Sequence, residues 1–162
     1  MRSIAVASLV LVFAANALAP HASGAQVSLS AGQRSAIADS VGSVMDSVFA
    51  AGSRPDLNRM YSFFSANTSL LHDGKPEDWK EHQGGTRAFY KTLRSADLRP
   101  LAHEIDVLSP TVALWRGQYS YSFADSAGHT ISGIAATTWV LARNSSGWHI
   151  VHLHMSNPPA SK

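Results

Sequence analysis

His152 and His154 stand two residues apart in the run Gly147-Trp148-His149-Ile150-Val151-His152-Leu153-His154. On a strand, that spacing sends both rings to the same side. A His-x-His pair can ligate a metal, and His72, Asp73 or His103 could supply a third donor. The plainer assignment is preferred, with one ring hydrogen-bonded in a sheet and the other exposed, so no metal and no cofactor are expected. The segment His103-Glu104-Ile105-Asp106 points to other chemistry. A neutral imidazole near physiological pH is the natural proton shuttle of an isomerase or dehydratase. His103 lies on the opposite side of its strand from Glu104 and Asp106. If Leu101, His103, Ile105 and Val107 face inward, His103 is the best candidate base. His72 is a second candidate, whereas Asp73 beside Gly74 reads as a turn residue.

Aromatic residues are numerous for a chain of 162 residues. Tyr61, Phe64, Trp79, Tyr90, Trp115, Tyr119 and Trp139 could line a pocket for an aromatic or apolar ligand. Their rings would stack on it, and a tyrosine hydroxyl would orient it. The alternative is ordinary core, which should claim more than half of them. Other chemistries are excluded. With no Cys there is no thiolate nucleophile, disulfide framework or Cys-held metal. No Ser-His-Asp order, phosphate-cradling glycine loop or dinucleotide fingerprint is present. A formal net charge of +2, with no basic cluster, gives no basis for a nucleic-acid partner.

The elements that must position these groups read as helices first and strands after. Ser30 with Gln33 forms a capping-box pattern, and Ile37, Val41, Val44 and Val48 follow at helical spacing, predicting a helix over 30–51 with Gly52 as its stop. Leu57, Met60, Tyr61 and Phe64 predict a short second helix, Thr68–His72 a strand, and Asp73-Gly74-Lys75-Pro76 a turn. A third helix is expected after Gly84-Gly85, carrying Phe89 and Leu93 one turn apart. Four strands then follow, Leu101–Leu108, Thr111–Ala124, Thr130–Arg143 and Gly147–Ser156, separated by turn residues. Trp115, Tyr119, Tyr121 and Phe123 share one face of their strand, and Trp148, Ile150, His152 and His154 share one face of theirs. Helices followed by an antiparallel meander predict a two-layer α+β fold.

Ahead of this lies Met1-Arg2 and an apolar run from Ile4 to Ala19. One basic residue, a short apolar stretch and small residues behind it are the parts of a secretory signal peptide. Residues 1–25 are read as that signal, with cleavage after Ala25, and 26–162 as the working domain. The run is short for a membrane span. Export to the periplasm or the extracellular space is therefore expected, with no membrane attachment after cleavage.

The ending Trp148-His149-Ile150-Val151-His152-Leu153-His154-Met155-Ser156 resembles the last strand of the nuclear transport factor 2-like superfamily, in its SnoaL-like and kinase-association branches. Gly85–Leu93, with Phe89-Tyr90, is similar to that superfamily's third helix, and the element order matches over roughly residues 29–157. The resemblance implies a curved antiparallel sheet wrapped around the N-terminal helices as a cone, the cystatin-like α+β roll. It also implies a pocket at the open end and a homodimer through the outer face of the sheet. The kinase association domain lines its pocket with arginines, and here Thr137-Thr138-Trp139 stands where one is expected, so anion binding in that mode is not carried over.

Three functions follow as expectations. The leading one is a SnoaL-like domain binding a small aromatic or apolar ligand, with Tyr61, Phe64, Trp79, Tyr90, Trp115, Tyr119, Trp139, His152 and His154 around the pocket. The second is an isomerase, dehydratase or cyclase working through His103 or His72. The third is an oligomerisation module.

Overall fold

Ser30 starts the first helix by the reciprocal bonds its sequence predicts. Its backbone N–H donates to Gln33 Oε1 at 2.9 Å, and its Oγ accepts from the Gln33 N–H at 3.2 Å. The computed structural model describes residues 28–157, so the expected signal segment lies outside the described residues. The elements are α1 Ala31–Ser53, α2 Leu57–Tyr61, β1 Phe64–His72, β2 Lys75–Glu77, α3 Trp79–Tyr90, β3 Leu93–Ser109, β4 Val112–Asp125, β5 Thr130–Asn144 and β6 Gly147–Ser156. Among the described residues, no helix is long and apolar enough to cross a membrane.

The strands form one curved sheet in the order β2-β1-β6-β5-β4-β3. All pairs are antiparallel except β1 with β6, which run parallel. α1 lies across the concave face. Val41, Met45, Val48 and Phe49, at helical spacing, are buried there in one core with Trp115, Leu141 and Ile150. Phe49 is the central ring, 5.7 Å from Trp115, 5.5 Å from Tyr119 and 5.9 Å from Trp139. The fold is the expected α+β cone.

Five local features differ from the sequence reading. Phe64 is not part of the second helix, which ends at Tyr61, but opens β1 four residues before the expected Thr68. Gly52 does not stop α1, which runs to Ser53. A Cβ at Gly52 would stand 2.5 Å from Leu98 Cδ1 and 3.3 Å from Met60 Sδ, so the glycine is there because β3 and α2 come so close. The Asp73-Gly74 turn, with φ of 49° and 76°, folds Lys75–Glu77 back on β1 as the short strand β2. α3 begins at Trp79, not after Gly84-Gly85, because Asp78 caps it by accepting from the N–H groups of Lys80 and Glu81. The two glycines sit inside that helix at ordinary cost. Finally, Leu93 is not helical. It opens β3, which starts well before the expected Leu101 and tolerates Pro100 because it is an edge strand.

Candidate functional site

The strands determine which aromatic rings reach the interior. On β4, Trp115, Tyr119, Tyr121 and Phe123 alternate toward α1, as period-two spacing requires. Toward the open end of the cone the rings stop filling space and enclose a cavity of about 370 Å³. Its walls are Phe49, Tyr61, Phe64, Trp79, Phe89, Tyr90, Tyr119, Tyr121, Phe123 and Trp139, with Val48, Met60, Leu98, Ile131, Leu153 and Met155 between them. The polar groups on the wall are His72, His82, Thr86 and Asn157, together with the tyrosine hydroxyls. The volume is at the lower end of the ~300–1,000 Å³ range of small-molecule pockets.

Eleven consecutive residues build the polar corner. The Asp73-Gly74 hairpin sets Leu70 opposite Glu77 and His72 opposite Lys75, so Glu77 lies diagonal to His72 on one face. His72 Nδ1 donates to Glu77 Oε1 at 2.9 Å. Asp78 then starts α3, which carries His82 round to the same carboxylate, and His82 Nδ1 donates to Glu77 Oε2 at 3.0 Å. Trp79 lies flat against the His82 ring, with centroids 5.7 Å apart and planes at 13°. A carboxylate that accepts from both Nδ1–H groups fixes both rings as the tautomer with a lone pair on Nε2. The His72 Nε2 accepts from Asn157 Nδ2 at 3.0 Å, and Asp73 Oδ2 lies 3.5 Å from it. Among the described residues, His82 Nε2 has no hydrogen-bond partner. Burial alone would raise the pKa of Glu77, but the bonds from His82 and His72 outweigh it and hold the carboxyl below its ordinary value.

Three tyrosines of the wall, Tyr61, Tyr90 and Tyr119, are held more firmly protonated than a free phenol. Burial, with Tyr61 as a neighbour, pushes Tyr90 up to about 12. Burial also raises Tyr61 and, more strongly, Tyr119. The Tyr119 hydroxyl donates to Met155 Sδ at 2.8 Å. The Tyr61 hydroxyl is buried without a hydrogen-bond partner among the described residues.

Of the expected pocket residues, Tyr61, Phe64, Trp79, Tyr90, Tyr119 and Trp139 line this cavity, and so does His72. Trp115 does not. It is 1% exposed, packed in the core between Phe49, Trp139 and the His103 ring. His152 and His154 do not line it either, and they do not share a face with Trp148 and Ile150. Leu141 pairs with Ile150 but Val140 pairs with His152, so Val151 is an extra residue. That bulge reverses the alternation of β6, turning Leu153 and Met155 inward and both histidines outward. On the outer face, His152 Nδ1 meets Ser69 Oγ at 2.7 Å. His154 stands in register with Thr138, Arg116 and Glu104.

His103 stacks on Trp115 with centroids 5.0 Å apart, outside the cavity, and its Nδ1 donates to the Leu101 carbonyl at 2.8 Å. No carboxylate stands behind it. Asp106 accepts from Arg116 Nε at 2.6 Å, and Glu104 accepts from Arg116 Nη2. Among the described residues, no group of three or more His, Asp and Glu has metal-binding geometry. Sequence reasoning missed Glu77, His82 and Asn157. The signal for the first two was present: an Asp-Gly hairpin turn, an acid three residues after the glycine, an Asp cap, and a histidine one turn into the helix.

The model of the SnoaL-like domain matches residues 41–161. No curated protein matches the chain. Among solved structures, the chain is similar to a nuclear transport factor 2-like superfamily protein from Salmonella enterica. That match has a TM-score of 0.67 at 20% identity and covers 79% of this chain and 95% of that one. It is similar to a protein from Xanthomonas campestris assigned to the calcium/calmodulin-dependent protein kinase II association domains, with a TM-score of 0.63 at 18% identity, covering 75% and 87%. It is also similar to the hexachlorocyclohexane dehydrochlorinase of Novosphingobium barchaimii, with a TM-score of 0.65 at 11% identity, covering 79% and 90%. At these identities the likeness is one of fold. The match of the family model over most of the chain goes further: this protein belongs to the SnoaL-like domain family, and its fold is that of the nuclear transport factor 2-like proteins.

Proposed function

We propose that the chain is an exported SnoaL-like domain that binds a small aromatic or apolar ligand in its cone. The observation that carries this reading is the cavity of about 370 Å³, walled by ten aromatic rings and with polar groups converging at one corner. A core would fill such a space, and the unpartnered Tyr61 hydroxyl leaves a hydrogen-bonding group to orient a guest. Export rests on the leader-like residues 1–25. The test is a thermal-shift screen of aromatic and alicyclic compounds, followed by calorimetry. Binding that is lost in Trp139→Ala and unaffected by His154→Ala supports the reading; no binder from a broad panel refutes it.

One specific observation favours a second reading, proton-transfer catalysis of the isomerase or dehydratase type. Glu77 orients His82, a residue of the cavity wall, and leaves a lone pair on its Nε2, the arrangement of a general base. In this reading His82 is the base, Glu77 positions it, and a wall tyrosine is the acid. A chain with this role exchanges a ligand C–H for deuterium in heavy water, and His82→Gln abolishes the exchange.

The outer face of the sheet supports pairing of two copies. The cross-strand row Glu104, Arg116, Thr138 and His154 mixes both signs of charge, and Ile134 on the same face is 45% exposed. Light scattering at micromolar concentration should give a dimer, and a monomer would refute this part.

A further inference from the structure

The charge of the guest follows from the charges around the wall. Resting on the ligand-binding reading above, we propose that the cone takes an organic cation, a hydrophobic amine whose ammonium sits at the His72–His82 corner that Glu77 backs from the neighbouring groove, and rejects carboxylates of the same shape.

Three observations carry this. First, among the described residues the wall contains no lysine and no arginine. Arg87 comes near, with its guanidinium 5.2 Å from the Tyr61 ring centroid, but it is tied to Asn58 Oδ1 at 2.9 Å and lines a groove outside the cavity. An anion in the cone would therefore be desolvated without a partner. The raised pKa of the wall tyrosines expresses the same penalty for negative charge.

Second, the polar corner carries negative charge. Glu77 and Asp73 flank His72, and Glu77 also holds His82. Hydrogen bonds keep both carboxyls below their ordinary pKa: the Asn157 backbone N–H acts on Asp73, and the two imidazoles act on Glu77 against its burial. Both are therefore ionised near neutral pH. The cavity itself meets their imidazole partners, His72 and His82, and His82 Nε2 keeps an acceptor lone pair suited to an N–H donor.

Third, the remaining wall is aromatic. Ring faces attract a cation within ~6 Å of their centroids, most strongly where water is excluded. Trp79 stacks on His82 at the corner, and Phe64 and Tyr61 pack on Trp79 at 4.9 Å and 5.6 Å. The buried Tyr61 oxygen offers a further acceptor.

The experiment uses three two-ring probes of one shape: naphthylmethylamine, naphthylmethanol and naphthoate, titrated calorimetrically into the protein near neutral pH. The expected order is amine tightest, alcohol weaker by about tenfold, naphthoate weakest. In Glu77→Gln the amine should lose about tenfold and the alcohol should be nearly unchanged. Phe64→Leu, a change on a different element, should also cost the amine more than the alcohol. Naphthoate binding as well as the amine overturns the proposal, and so does an amine preference that survives both substitutions. If the alcohol binds without an amine preference, the cation proposal falls and the ligand-binding reading stands. If none of the three binds, both fall together.

Discussion

Glu77 accepts the Nδ1–H of His82 at 3.0 Å and, through its other oxygen, the Nδ1–H of His72 at 2.9 Å. One carboxylate thus sets the tautomer of two imidazoles delivered by two different elements, a hairpin strand and a helix start. The ring nitrogens left over are not equivalent. That of His72 is occupied by Asn157, whereas that of His82 has no hydrogen-bond partner among the described residues. The aromatic rings give the cavity its shape, and this pair gives it direction.

The tautomers can be observed directly. Long-range nitrogen–proton NMR correlation should place the ring proton of both His72 and His82 on Nδ1 near neutral pH. In Glu77→Gln, the amide cannot accept on both sides with the same strength, and at least one ring should become a tautomer mixture. His103, whose Nδ1 donates to the Leu101 carbonyl, should not respond.

The same contact predicts a limb in the acid range. The carboxyl of Glu77 is below its ordinary value of 4.5 in the folded chain, so its contribution is present above that value and is lost as pH falls through the folded pKa. Its side chain is 37% exposed, so the contribution is discounted to about 1 kcal/mol or less. Urea unfolding of the wild type and Glu77→Gln should differ at pH near 6, and the difference should shrink as pH falls below 4.5.

Gly52 is a packing requirement. Gly52→Ala would place a methyl 2.5 Å from Leu98 Cδ1, in a wall that also includes Met60 and the Tyr90 hydroxyl. A loss of about 1–3 kcal/mol is expected. It should be read from the urea midpoint with the m-value unchanged. A neutral or stabilising effect would mean that α1 and β3 separate easily.

Trp115 and Trp139 should behave differently despite facing each other across one strand pair. Trp115 is 1% exposed and away from the cavity, so Trp115→Ala should cost about 3–5 kcal/mol of stability. The more conservative Trp115→Phe should leave ligand affinity unchanged. Trp139 lines the cavity, and Trp139→Phe should weaken any ring-stacking ligand by several-fold as measured by calorimetry.

The sequence by itself determined the elements whose signals are local. Ser30 and Gln33 cap α1 because both partners lie within one turn. The alternation of Trp115, Tyr119, Tyr121 and Phe123 set the inner face of β4, because an unbroken strand repeats every two residues. The ending Trp148–Ser156 identified the superfamily and with it the cone. Six of the seven aromatics expected at the pocket line the cavity, Phe64, Tyr119 and Trp139 from the sheet and Tyr61, Trp79 and Tyr90 from α2 and α3.

Only the tertiary structure decided where the histidines went. His152 and His154 keep the spacing of an inward pair, but one extra residue at Val151 turns both to the outer face, and a bulge arises from pairing with β5 that no local pattern announces. His103 is the candidate base only if its side of the strand faces inward, which the sequence leaves open. It stacks on Trp115 outside the cavity, and Arg116, brought across from β4, takes both neighbouring carboxylates. His72 and His82 became a pair because Glu77 sits between them in space. The hairpin and the cap that put it there are short-range, but their meaning depends on β1 lying at the cavity's rim. That depends on the parallel pairing of β1 with β6, a contact between segments some eighty residues apart.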